Sequence, residues 1–122
     1  MNMVKLPLIT ADAIVADNFI YFNADEIKSM QVLATTFVIK TANSTITMTF
    51  DGTNAAAKLT NVNNAAAYLI PKLLPLGGGD VNRKQGIKTY DLLLNQTIGE
   101  IHTTLGLTAP GTNDAFVSIV LS

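Results

Sequence analysis

The chain has 122 residues, a formal net charge of -1, 14% charged residues and 48% hydrophobic residues. That length and apolar content support a real core without staples and exclude intrinsic disorder, and near-neutrality gives no global attraction to nucleic acid or anionic lipid. Cysteine is absent, which removes disulfides and thiolate chemistry.

Low charge points further. Charge normally keeps small domains apart, and a typical domain has about 25% charged residues. A chain with so few, and with positive mean hydropathy, is expected to cover part of its surface in an assembly.

Residues 1–18 read as an irregular N-terminal arm. Their start, "MNMVKLPLITADAIVA", superficially has the lysine and apolar residues of a secretory signal. Pro7 and Asp12 interrupt its apolar part, so no cleaved signal is expected. No apolar run approaches the roughly 20 residues that span a bilayer.

Residues 19–53 predict a β-meander. "FIYF" (Phe19–Phe22) is a compact aromatic strand, and Asn23 and Asp25 supply turn chemistry. Ile27, Met30 and Val32 follow as inward residues, with a spacing that requires a bulge or a late strand start. "TFVIKT" and "TITMTF" are the clearest strands. Ile46, Met48 and Phe50 alternate with Thr45, Thr47 and Thr49, the period of two expected when one face is buried. "ANS" between the two strands has the length and composition of a hairpin loop.

Residues 54–76 predict a helical segment. Leu59, Val62, Ala66, Leu69 and Leu73 are at helical spacing, with Asn63 or Asn64 as the cap of a helix through "AAAYLIPKLL"; "AAAKLTNV" before it reads equally as a first helical turn or a further strand. Pro71 is expected to kink the helix and Pro75 to end it. Residues 77–86 form a glycine-rich, basic loop. Residues 87–122 hold a helix or hairpin and a last strand. In the helical reading Tyr90, Leu94, Ile98, Ile101 and Leu105 line one face, Gly106 is the C-terminal cap, and "AFVSIVL" is the strand. The expected fold is a single α+β domain: an antiparallel β-meander of about four strands, packed by one or two helices, with a C-terminal strand.

The candidate chemistries are thin. His102 is the sole histidine, too little for a zinc site or a catalytic triad. Asp25 and Glu26 are adjacent, and neighbouring side chains on a strand face opposite ways, so turn and cap duty is expected. Asp51–Asn54 lacks the alternating acids of a calcium loop and reads as a turn or helix start. Leu76–Asp80 has glycines without the Lys-Ser/Thr of a phosphate loop. Arg83, Lys84 and Lys88 are the one basic cluster, and three cations neutralise fewer phosphates than non-specific binding usually involves. Asn43 and Asn95 begin glycosylation sequons of the kind that arise by chance in an Asn- and Thr-rich chain. Catalytic, cofactor and metal sites are therefore expected to be absent, although an apolar ligand pocket leaves little trace in sequence.

Two strands, Thr45–Phe50 and Phe116–Leu121, carry neither the lysine nor the proline that usually guards a sheet edge. They are expected to have partners along those edges.

The stretch "FNADEIKSMQVLATTFVIKTANSTITMTFDGT", with the amphipathic segment after it, resembles small proteins of tailed phages, marine cyanophages in particular, some of them virion components. Its local pattern is also similar to small flagellar proteins and, more distantly, to the Whirly-type single-strand binders. The likeness covers roughly Phe19 to Leu74. It implies a non-enzymatic structural protein in a virion or a host cytoplasm, acting as a homo-oligomer or with other virion proteins and without a membrane. The alternative is a single-stranded nucleic-acid module using Arg83, Lys84 and Lys88, with Lys28 and Lys40 in support. That alternative is weakened because no basic, aromatic-studded sheet face is visible in the sequence.

Overall fold

The computed structural model describes residues 2–52, 54–76, 88–107 and 117–122. Its α+β architecture is a seven-stranded sheet and two helices around one apolar cluster.

The first eighteen residues correct the expected arm. Asn2–Thr10 is strand β1 and Ala13–Asn23 is strand β2, paired antiparallel. Ala11 and Asp12 both have positive φ, 49° and 62°. Two left-handed residues in a two-residue loop match the right-handed twist of the flanking strands. Val4 and Leu6 face Phe22 and Ile20 across this hairpin, all four buried. Pro7 sits at a register shift, where the missing N–H breaks no regular ladder. Opposite that shift β2 bulges outward, with Asp17 at φ 60°.

A short 3-10 turn, Ala24–Glu26, leads into the expected meander. Its strands are β3 (Ile27–Val32), β4 (Thr36–Thr41) and β5 (Thr45–Phe50). The irregularity foreseen in β3 is a register shift between Ile27 and Ser29. Val32, expected inside, is exposed, and Ile27 and Met30 are half-buried, because β3 ends the sheet. In β5 the alternation holds: Ile46, Met48 and Phe50 are at most 1% exposed. The loop Ala42–Ser44 is closed by Thr41, whose Oγ1 lies 2.8 Å from Ser44 Oγ and accepts from Ser44 N–H.

Helix α1 spans Ala55–Leu73 and begins earlier than expected. Its cap is Asn54, which accepts from Ala57 N–H at 2.8 Å. Asn63 and Asn64 lie within the helix, and Asn64 Nδ2 reaches the Gly106 carbonyl. Val62, Ala66, Leu69 and Leu73 are buried as the spacing predicts, but Leu59 is exposed. Pro71 is contained within the helix, and Pro75 lies in a closing 3-10 turn, Leu74–Leu76.

Beyond the glycine-rich segment, strand β6 (Lys88–Asp91) pairs parallel with residues 2–5 of β1. Tyr90 and Leu94 therefore precede the helix rather than sharing its face. Helix α2 covers Ile98–Leu105 and is closed by Gly106 at φ 70°. Strand β7 (Val117–Leu121) completes the sheet.

The order is β2-β1-β7-β5-β4-β3, with β6 beside the first half of β1. The expected open edges of Thr45–Phe50 and of the last strand are thus closed from within. β5 lies between β4 and β7, and β7 between β5 and β1. Each lacks gatekeepers because neither is an edge.

The β5–α1 corner depends on Gly52. A Cβ there would stand 2.9 Å from Lys58 N and 3.1 Å from Ala57 C, both backbone atoms. Asn61, fully buried, donates from Nδ2 to the Asp51 carbonyl at 2.7 Å and holds the same corner. Gly52→Ala is expected to destabilise the protein by about 1–3 kcal/mol through overpacking, read as a lower denaturation midpoint with an unchanged slope.

Candidate functional site

The basic cluster is not assembled by the described strands. Arg83 and Lys84, like the whole of the glycine-rich loop 77–86, lie outside the described residues. Lys88 begins β6 and is exposed, in register with Asn2. Lys28 and Lys40 are exposed on β3 and β4, at the other side of the sheet.

His102 has a structural partner. Its Nε2 lies 2.7 Å from Asp12 Oδ1, and the two side chains are 20% and 32% exposed. Asp12 N–H also donates to the Val117 carbonyl, and Ala11 N–H to Ser118 Oγ. The β1–β2 turn is thereby fastened to α2 and β7. This contact joins residues 90 positions apart, which no local spacing announces.

The acidic residues serve local geometry. Asn23 Oδ1 accepts from Asp25 N–H, opening the 3-10 turn that contains Asp25 and Glu26. Asp51 accepts from Gly52 N–H and pairs with Lys58 at 3.6 Å, which is helix-start duty. At α2, Thr97 and Glu100 form a reciprocal capping box. A shallow groove of about 440 Å³ runs over Thr97, Gly99, Glu100, Thr103 and Thr104. Its hydroxyls are committed: Thr103 donates to the Gly99 carbonyl and Thr104 to Gln96 Oε1. Among the described residues no three His, Cys, Asp or Glu side chains could together hold a metal ion. No described helix is long and apolar enough to cross a membrane.

The sheet does present aromatic residues to solvent, contrary to the sequence reading. Phe19 and Tyr21, alternating with buried Ile20 and Phe22, are 44% and 51% exposed. Lys5, opposite Tyr21 in β1, places Nζ 4.1 Å above the Phe19 ring centroid and 5.6 Å from that of Tyr21. The signal was present in "FIYF" itself: on a strand its first and third residues must face away from the second and fourth.

Tyr21 also leads into a second cleft, of about 330 Å³, where the end of β2 meets the β4–β5 hairpin. Met3, Asn23, Glu26, Asn43 and Ser44 contribute to its walls. Elsewhere, buried Asn2 donates to the Leu76 carbonyl while its Oδ1 has no partner among the described residues.

Comparison of the chain with protein-family models, curated proteins and solved structures found no match in any of the three. The fold and these side chains therefore carry the functional reading.

Asp12→Asn keeps a residue tolerant of left-handed backbone while removing the carboxylate. It is expected to lower stability by about 0.5–1 kcal/mol, the range of a partly exposed pair. A double-mutant cycle with His102→Ala, read by chemical denaturation, is expected to show a coupling of about the same size between the two side chains.

Proposed function

We propose that the protein is a non-enzymatic structural or assembly component that works through contacts with neighbouring subunits. The observation that carries this reading is the free edge of β3.

β3 pairs with β4 alone among the described strands. Leu33 N–H points towards β4, donating to the Thr36 carbonyl at 2.8 Å. Backbone polar groups alternate along an antiparallel strand, so those of Met30 and Val32 point outward. Val32 and Leu33 add exposed apolar surface at the same place, 36% and 43%. Unpaired backbone beside apolar side chains is the surface on which a strand from another chain adds. The opposite edge differs: the bulge around Asp17 interrupts β2 and discourages such pairing.

The low charge of the chain supports the same reading, and the resemblance across Phe19–Leu74 supplies its class, a virion or capsid-associated protein. A homo-oligomer formed along β3 is its simplest form. The single-strand reading receives less support. Lys28 and Lys40 are separated from Lys88 by intervening strands, while Lys5 is engaged over Phe19 and faces Asp91 in register.

Light scattering across a concentration series is expected to show self-association. Val32→Lys places a charge on the open edge without touching the β4 ladder, and should weaken association about tenfold, roughly 1.4 kcal/mol. A protein that stays monomeric at the highest concentration, or a variant that associates unchanged, overturns the proposal.

A further inference from the structure

We propose that the cleft beside Tyr21 is a binding site for a neutral, polyhydroxylated ring ligand, that is, a saccharide unit. This goes beyond the assembly reading and uses none of the residues Met30 to Leu33 on which that reading rests, so either can fail alone.

The cleft has the parts such a ligand requires. Tyr21 offers a half-exposed aromatic face at one wall. The facing wall is the hairpin tip, stiffened by the Thr41–Ser44 hydrogen bonds, and Asn23 is fixed by accepting from Asp25 N–H. Both walls are therefore set before anything binds, which lowers the ordering cost of association. Between them the Tyr21 hydroxyl, the Asn23 amide nitrogen, the Glu26 carboxylate and the Asn43 carboxamide have no hydrogen-bond partner among the described residues. Together they offer donors and acceptors around an apolar floor, matched to a ring with an apolar face and a hydroxyl rim. The volume of about 330 Å³ is at the small end for ligand pockets and suits a single ring rather than an extended chain.

Charge selects among ring ligands. Among the described residues no lysine or arginine lines the cleft, and Glu26 does, so a phosphorylated ligand meets repulsion from that carboxylate. A cationic ligand fares poorly for the opposite reason: the Tyr21 ring already has Lys5 Nζ at 5.6 Å. A neutral hydroxylated ring meets neither penalty.

The test is an NMR titration of the full chain with the methyl glycosides of glucose, galactose and N-acetylglucosamine. Oligothymidylate and tripolyphosphate serve as anionic probes. At least one glycoside should bind in the millimolar range and shift resonances confined to Tyr21, Asn23, Glu26 and Asn43. Tyr21→Ala and, separately, Glu26→Gln should each weaken it about tenfold; both side chains are exposed, and a preserved spectrum elsewhere shows that the fold is intact. Absence of shifts with every glycoside, binding unchanged in both variants, or perturbation of these residues by the anionic probes instead, overturns the proposal.

Discussion

The structure rests on a short tether. Ala24–Glu26 joins β2 to β3, which occupy opposite ends of the strand order. Laid flat, six strands would place those ends roughly 24 Å apart. The four Cα steps from Asn23 to Ile27 reach at most about 14 Å. The sheet cannot be flat; it must fold back on itself at this end. Where β1 and β7 meet, Ile9 and Ile119 are the one pair in register, both fully buried. Below that junction β6 takes the place of β7 beside β1. Two leaves, β2-β1-β6 and β7-β5-β4-β3, thus diverge from one contact and are drawn together by one turn.

That closure explains the core and the surface together. Val4, Leu6, Ile20 and Phe22 on one leaf join Phe37, Ile39, Ile46 and Met48 on the other in the same cluster, with Leu69 and Leu73 of α1 and Ile101 of α2. The same bend brings the β4–β5 hairpin against the end of β2, which is why Tyr21 and Asn43 share a cleft despite lying on opposite leaves. It also leaves β3 with a partner on one side only. The cleft and the open edge are two results of one constraint.

Much of this was legible in the sequence where the signal is local. The threonine alternation in β5, the 42–44 loop and the Gly106 cap each depend on a few adjacent residues, and each stands as read. The errors have long-range causes. Residues 1–18 look irregular because Pro7 and the bulge near Asp17 interrupt the period of β1 and β2, yet the pairing of Val4 with Phe22 restores it. Asn63 and Asn64 resemble caps. In the fold Asn61 bonds the Asp51 carbonyl and Asn64 that of Gly106, so the helix runs through them. β6 has four residues and exists through its pairing with β1. The site residues Phe19 and Tyr21 were visible as a pattern, but their exposure follows from which leaf of the sheet holds them.

The position of β7 has a consequence for how the protein is made. This strand, near the end of the sequence, fills the place between β5 and β1 near the middle of the sheet. During synthesis the meander and the β1–β2 hairpin can each form early, since their contacts are close along the chain. The sheet cannot be continued from β5 to β1 until residues 117–121 emerge. Until then the edge of β5, which carries neither lysine nor proline, is bare, and a nascent chain is most exposed to mispairing with its neighbours. Closure through contacts more than a hundred residues apart, such as Ile9 with Ile119, also makes assembly of the sheet slow. Of the described strands, the one that appears after the others is the one that ends this vulnerable interval.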